Sequence, residues 1–302
     1  MKKSEKYLRA INNFKILKDE PLKKYTYFKI GGMAQFFALP RTTKELIVLL
    51  EQAKACDLDV TIIGGGTNIL IKDKGIKGLV ITTRQMRDEL KLKEKKICKT
   101  ILCASAGQSL GKICQFAMKN NLAGFEFTAG IPGTLGGAIM MNAGTRDKSM
   151  SDVVESIVIL DQKNFKIKKI KRKNLDFKYR KLVQKGIIVN VRLQLKICDK
   201  KKIKKTYQKN LIEKHSRQPI NMASAGCFFK NPSKNNPAGK LIENAGLKGM
   251  KINDAMVSKK HANFIVNLGN ASFKDVILIK KYIQKVIEKK YNIHLKPEVI
   301  IK

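Results

Sequence analysis

The run Val60-Thr61-Ile62-Ile63-Gly64-Gly65-Gly66-Thr67-Asn68 decides how this chain is read. A short apolar segment enters a turn of consecutive glycines. Such a junction can aim successive backbone N–H groups at an anion, because glycine tolerates φ > 0 and lets a ligand come close to the chain. Thr67 and Asn68 add side-chain hydrogen bonds. Taken alone, the segment also reads as a plain tight turn. It is not Gly-x-Gly-x-x-Gly, and no Asp or Glu ends a second strand about 20 residues on, so the Rossmann fingerprint fails. No Gly-Lys-Ser/Thr follows, so it is not a P-loop either.

A second segment changes the balance: Ala129-Gly130-Ile131-Pro132-Gly133-Thr134-Leu135-Gly136-Gly137-Ala138, continuing into Asn142-Ala143-Gly144. Gly130-Ile131-Pro132-Gly133 sets a rigid turn. Gly136 and Gly137 leave out side chains where a planar or diphosphate group could lie. Two such segments predict one large diphosphate cofactor gripped from both sides.

Outward from these turns, strands and helices are mixed without regular βαβ alternation. Gln35–Leu39 reads as a strand ended by Pro40. Thr42 or Thr43 caps a helix to about Ala55, with Leu46, Leu49, Leu50 and Ala53 on one face. Val60–Ile63 reads as a short buried strand and Gly78–Thr82 as another. A Lys-rich hairpin over Leu90–Lys96 leads to a strand at Ile97–Ala104, and Ser109 caps a helix over Leu110–Asn120. Further strands are expected at Val153–Asp161, Phe165–Lys168 and Ile187–Leu195. A basic helix over Lys201–Lys214 places Ile203, Tyr207, Leu211 and Ile212 as its apolar positions. In the helix Ser272–Lys290, Phe273, Val276, Ile279, Ile283, Val286 and Ile287 recur at helical spacing. Glu298–Ile301 reads as the last strand. The fold class is α+β in three lobes, 1–84, 85–200 and 201–302.

Composition narrows the function classes. No apolar run approaches the ~20 residues of a membrane helix. Tyr7, Leu8 and Ile11 are scattered among polar residues and make no signal-peptide core. A soluble, cytoplasmic protein is expected. The formal charge of +38 suggests nucleic acid, but only nine of the 62 basic residues are Arg, the residue that forks onto phosphates and base edges. The Lys residues are spread over the whole chain, so no nucleic-acid partner is expected, and a positive field would help collect polyanionic substrates. Cys56, Cys98, Cys103, Cys114, Cys198 and Cys227 form no CxxC pair and stand far from His215, His261 and His294, so no metal site is expected. Cys98, Cys103 and Cys114 sit in apolar contexts suited to core packing.

Eight ordered motifs then carry a specific resemblance: Thr26–Gly32, Ile63–Asn68, Ala129–Gly133, Phe177–Arg180, Gly226–Pro232, Pro237–Glu243, Val257–Phe264 and Leu295–Val299. Over nearly its whole length the sequence resembles the UDP-N-acetylenolpyruvoylglucosamine reductase family, flavin enzymes of bacterial peptidoglycan precursor synthesis. The resemblance implies a vanillyl-alcohol-oxidase/PCMH-type FAD-binding fold of two lobes, about residues 27–195, plus a C-terminal α+β substrate-binding domain. It implies non-covalent FAD, NADPH as hydride donor, a monomer, and UDP-N-acetylglucosamine enolpyruvate as substrate. FAD contacts would come from Ile30, Gly31, Gly32, Gly64, Gly65, Gly66, Thr67, Asn68, Gly130, Ile131, Pro132, Gly133, Gly136, Gly137, Asn142, Ala143 and Gly144. Arg180 and Cys227 stand too close for the tyrosine-bearing loop of the family's longer subclass, so the chain is similar to the shorter one.

The implied reaction sends hydride to C3 of the enolpyruvyl group and a proton to C2, and needs a fixed cation at the carboxylate and a positioned acid. Arg180 matches the family's arginine and can grip a carboxylate with two N–H bonds, as Lys cannot. Glu298 matches the family's glutamate at the developing enolate. Cys227 stands where the family usually has serine, and a thiol, with an ordinary pKa of about 8.5, is the stronger acid. Tyr179, Arg217, Lys230 and Asn231 would bind substrate. Two other readings compete: an oxidase of the same superfamily, which would need a His or Cys bonded to its flavin, and a nucleic-acid-binding protein.

Overall fold

A computed structural model describes residues 16–95, 99–145 and 147–302. Cys98, the opening of the expected strand Ile97–Ala104, and Tyr7, Leu8 and Ile11 lie outside these residues. Contacts divide the chain into two compact units. Among the described residues, the first holds 16–18, 36–65 and 78–213; the second holds Asp19–Gln35, Gly66–Lys77 and Lys214–Lys302. These units interleave along the chain, unlike the contiguous segments 1–84, 85–200 and 201–302. Composition along a sequence shows local change, whereas tertiary contacts join distant segments. One crossing between units falls inside the glycine run, between Gly65 and Gly66.

In the first unit, Thr42 Oγ1 accepts from Glu45 N at 3.2 Å and starts the helix Thr43–Ala55, which buries Leu46, Leu49, Leu50 and Ala53. Val60–Ile63 runs parallel to Ile76–Thr82, but only Ile63 is buried, so the strand is half-buried and not fully so. The larger sheet is antiparallel, ordered Ile167–Lys171, Val154–Leu160, Ile187–Ile197, Lys99–Ser105, Leu90–Lys95. Val191 faces Ile157 on one side and Ala104 on the other, and all three are fully buried. Ser109 Oγ accepts from Lys112 N and starts the helix Leu110–Lys119, whose Ile113, Cys114 and Ala117 join that core. Burial pushes the Cys114 thiol up to about 12 and raises that of Cys103, as suits packing cysteines.

Two expectations in this unit are corrected. The exposed strand begins at Ile167, not Phe165. Phe165 takes φ +58 in the preceding turn, where its N–H reaches Asp161 O and the Lys54 ammonium lies 5.3 Å from its ring centre. In the basic helix, Lys200–Arg217, only Ile203 is buried and Ile212 is 69% exposed. Ile203, Tyr207 and Leu211 follow one i, i+4 stripe, and Ile212 is turned about 100° from it.

In the second unit, an antiparallel sheet runs Ala223–Cys227, Phe264–Asn267, Ala255–Val257, Lys251–Ile252. The helix Phe273–Tyr291 covers it. Ser272 Oγ accepts from Asp275 N while Asp275 Oδ2 accepts from Ser272 N, a reciprocal cap worth about 1 kcal/mol. Val276, Ile279, Ile283 and Ile287 are fully buried. The expected strand Glu298–Ile301 shrinks to Ile300–Ile301, parallel to Ile69–Leu70. Glu298 N–H points instead to the Phe228 carbonyl, at 2.8 Å. No helix among the described residues is long and apolar enough to cross a membrane.

Candidate functional site

The two glycine segments of the first unit touch. A Cβ on Gly65 would fall 2.8 Å from Gly133 Cα and 3.2 Å from Thr134 N. Gly64 faces the Thr134 hydroxyl, 2.8 Å from where its Cβ would be, and Gly137 faces the same hydroxyl at 3.4 Å. Thr134 is buried and its Oγ1 has no hydrogen-bond partner. The result is a cradle lined by glycine backbone around an unanswered hydroxyl. A buried hydroxyl left unpaired costs about 1–3 kcal/mol.

The glycine carbonyls are committed. Thr82 Oγ1 donates to Gly64 O at 3.1 Å and Arg84 Nη2 donates to Gly65 O at 2.7 Å. A trans peptide is planar, so each bond turns the next N–H, on Gly65 and on Gly66, the opposite way. Gly133 O accepts from Leu110 N and fixes the Thr134 peptide likewise. Gly130 and Gly133 take φ +67 and +121, which the turn around Ile131 and exposed Pro132 demands. Gly136 lies in the short helix Leu135–Met140, where a Cβ would fall 2.9 Å from Ala106 Cβ, so close packing also asks for glycine there.

Gly66, Thr67 and Asn68 belong to the second unit. Gly66 takes φ +68 with its Cβ position only 1.9 Å from Tyr25 O, so no other residue fits. Asn68 Nδ2 donates to Glu298 O at 3.2 Å and its carbonyl accepts from Ile300 N, which ties Asn68 to the Glu298 segment. Ile30 is buried in the core of this unit, and a Cβ on Gly32 would overlap Asp73 O. Gly31 packs on Ile71. These three have packing reasons of their own.

Arg180 sits in the first unit, in the two-residue turn between Phe177–Lys178 and Lys181–Leu182. Its backbone is left-handed, φ +54, an uncommon state for a side chain other than glycine, asparagine or aspartate. The guanidinium is half-buried, donates to Gly144 O at 2.9 Å and lies 5.4 Å from the ring centre of the exposed Tyr179. Asn142 grips the same hairpin: Nδ2 donates to Lys178 O, and Oδ1 accepts from Ser151 N. Both ends of that amide are therefore used within the protein, and Asn142-Ala143-Gly144 acts as the seat of Arg180. Ala143 N–H closes onto Ala138 O.

Cys227 sits in the second unit, directly after a register shift between Ser224 and Cys227. Gly226 takes φ +79 there with open space at its Cβ position, so conformation and not room requires glycine. Cys227 is half-buried and in no disulfide. The next residue, Phe228, receives Glu298 N–H, so one backbone hydrogen bond links Glu298 to the neighbour of Cys227. Lys230 N donates to Lys296 O, and exposed Asn231 accepts Ala238 N–H through Oδ1 at the start of the helix Ala238–Asn244. Arg217 is exposed at the end of the basic helix. Cys227, Glu298, Asn68, Lys230, Asn231 and Arg217 thus share one unit; Arg180, Tyr179, Gly64, Gly65 and the second glycine segment share the other. The sequence reading gave no role to Thr134, a hydroxyl inside the second segment, or to Asn263, inside the Val257–Phe264 motif. Among the described residues no cluster of three His, Cys, Asp or Glu side chains could hold a metal.

Comparison with known proteins identifies the family. Residues 34–166 match the description "FAD binding domain", and residues 218–302 match "UDP-N-acetylenolpyruvoylglucosamine reductase, C-terminal domain". The UDP-N-acetylenolpyruvoylglucosamine reductase of Caldanaerobacter subterraneus is 39% identical over 300 residues, 98% of this chain and 97% of its own. That of Desulfosudis oleivorans is 36% identical over 94% of this chain and 93% of its own. The crystal structure of the corresponding reductase from Thermus caldophilus superposes with a TM-score of 0.78 at 31% identity, covering 95% of this chain and 98% of that one.

Proposed function

The chain belongs to the UDP-N-acetylenolpyruvoylglucosamine reductase family, an FAD-dependent oxidoreductase family of peptidoglycan synthesis, and we propose the following division of labour among its residues. The substrate is UDP-N-acetylglucosamine enolpyruvate, the product UDP-N-acetylmuramate, and the reductant NADPH. Gly64, Gly65 and the Gly130–Gly137 segment hold FAD, with the Thr134 hydroxyl as its hydrogen-bond partner; that buried, unpaired hydroxyl in a glycine-lined cradle fits a polar cofactor. Bound there and reduced by NADPH, the flavin would supply the hydride for C3 of the enolpyruvyl group.

Arg180 holds the substrate carboxylate through its guanidinium and stabilises the charge that builds there as C2 becomes enolate-like. Cys227 Sγ–H gives its proton to C2. Glu298, when protonated, donates to the enolate oxygen or orients water there. Tyr179, Lys230, Asn231 and Arg217 bind the rest of the substrate, with Arg217 and Asn231 toward the diphosphate. The observation that carries the proton-transfer part is the bond from Glu298 N–H to Phe228 O, which holds Glu298 to the residue next to Cys227. The test is anaerobic. NADPH should bleach the yellow protein, and UDP-N-acetylglucosamine enolpyruvate should bring the colour back within one turnover. A bleached protein that stays colourless with this substrate refutes the reading.

A further inference from the structure

Asn263 is 3% exposed, and all of its polar groups point at the segment after Cys227 or at its own loop. Its carbonyl accepts Phe228 N–H at 2.7 Å. Its side-chain Oδ1 accepts Phe229 N–H at 2.9 Å, and Nδ2 donates to Phe229 O at 2.8 Å. Its own N–H donates to His261 Nδ1 at 3.2 Å.

The side-chain bonds to Phe229 copy what a neighbouring strand provides, one acceptor and one donor on the same residue. A substitute is needed at this point. The ladder between Ala223–Cys227 and Phe264–Asn267 loses register at Ala225 and Gly226, and Cys227 re-enters it opposite Phe264. A bulge re-aims a side chain but leaves the strand beyond it less constrained. Asn263 restores the constraint immediately beyond Cys227. Phe228 transmits it further, since its carbonyl accepts Glu298 N–H at 2.8 Å. Asn68 holds the other side of Glu298 through its carbonyl.

We propose that Asn263 is the positioning residue for proton transfer: by fixing Phe228 and Phe229 it sets both the direction of the Cys227 thiol and the place of Glu298. Its polar groups are all spent inside the protein, so it acts through its neighbours. This inference rests on the assignment of Cys227 as the acid, so the experiment separates the two. Flavin-loaded Asn263→Asp, which keeps an acceptor for Phe229 N–H but loses the Nδ2 donor, is compared with wild type, with Cys227→Ala, and with the double variant, each half-reaction being followed anaerobically by flavin absorbance.

Asn263→Asp should keep its flavin and its rate of reduction by NADPH within about twofold, and slow reoxidation by substrate roughly 10–100-fold, the cost of misplacing a reacting group by an ångström or less. In the Cys227→Ala background the same change should slow reoxidation less than in wild type, because one of the two groups it positions, the thiol, is already gone and only the placement of Glu298 remains to be disturbed. Slowing of both half-reactions alike, or an undiminished effect in the double variant, overturns the proposal. Wild-type reoxidation in Cys227→Ala sinks the acid assignment and this inference with it, whereas slow Cys227→Ala beside wild-type Asn263→Asp sinks this inference alone. If Asn263→Asp sheds flavin, Asn263→Ala is read in the same way, and flavin loss in both means that Asn263 only holds the fold.

Discussion

Gly65 and Gly133 are packed backbone on backbone, so closely that a Cβ on Gly65 would lie 2.8 Å from Gly133 Cα. Two turns from distant parts of the chain thus form one surface, and the protein's own packing already forbids a side chain at Gly65. Gly137 differs. Its Cβ position is 3.4 Å from Thr134 Oγ1 and meets nothing closer. An added methyl there intrudes on the cradle and leaves the fold intact.

The two glycines therefore separate folding from cofactor binding. Gly65→Ala should lower stability by about 1–3 kcal/mol through overpacking and shed flavin as a consequence. Gly137→Ala, inside a helix, should melt at or above the wild-type temperature, since Ala is favoured over Gly there by about 0.5–1 kcal/mol, yet bind FAD more weakly. Thermal melts and flavin absorbance after gel filtration read both. Full flavin retention in Gly137→Ala removes the cradle from the FAD site.

Arg180 is held at φ +54, and an L-residue other than Asn or Asp is strained there by about 1–2 kcal/mol. Arg180→Ala and Arg180→Gly both lose the guanidinium and its bond to Gly144 O, but only Gly relieves the backbone. Arg180→Gly should be the more stable of the pair by about 1 kcal/mol in denaturant melts, with neither turning over substrate at a useful rate. Arg180→Lys should leave flavin reduction by NADPH nearly intact and slow reoxidation strongly. Equal slowing of both halves would give Arg180 a cofactor or folding role instead.

The elements with local rules were legible in the sequence. Phe273–Tyr291 repeats Val276, Ile279, Ile283 and Ile287 at helical spacing behind a Ser272–Asp275 cap, and Thr42 announces Thr43–Ala55 in the same way. The glycine runs were legible as a pair but not as a contact, because contact joins segments far apart in the chain. The bulge before Cys227 was hidden for a related reason: register belongs to two strands at once, and Gly226 alone does not show it. Glu298 was placed on a strand by its apolar neighbours, and the Phe228 carbonyl claimed its N–H instead. Ile212 is apolar yet exposed because it is turned about 100° from the stripe that runs from Ile203 to Leu211.

His261 gives a pH dependence with a definite sign. Burial holds its pKa below the ordinary 6.5, with Glu243 opposing and Lys248 reinforcing the shift. Its Nδ1 accepts Asn263 N–H and its ring meets Phe264 edge-on at 4.9 Å, so the native state needs neutral imidazole. The unfolded chain binds a proton near pH 6.5 that the folded chain refuses. This contribution is complete above about pH 6.5 and is lost as pH falls through the lower native value. Melting temperature should drop on acidification below 6.5 more steeply in wild type than in His261→Asn, whose amide oxygen can still accept the Asn263 N–H. Parallel curves for the two proteins would clear His261 of the effect.

Cys227 carries the most direct prediction, because its chemistry can be changed in steps at one position. Cys227→Ser exchanges one proton donor for a weaker one and should retain turnover. Cys227→Ala removes the donor and should slow reoxidation by substrate roughly 10²–10⁴-fold, the usual contribution of one acid–base group, while reduction by NADPH proceeds as before. Alkylation should abolish wild-type turnover, substrate should protect, and Cys227→Ser should be spared. The other cysteines do not confuse the result: among the described residues Cys56, Cys103 and Cys114 are buried, and Cys98 and Cys198 are present in every variant compared. Alkylation that inactivates Cys227→Ser as fast as wild type would place the sensitive thiol elsewhere. Reoxidation of Cys227→Ala at the wild-type rate would assign the proton to Glu298 or water, and leave the bulge at Gly226 as packing alone.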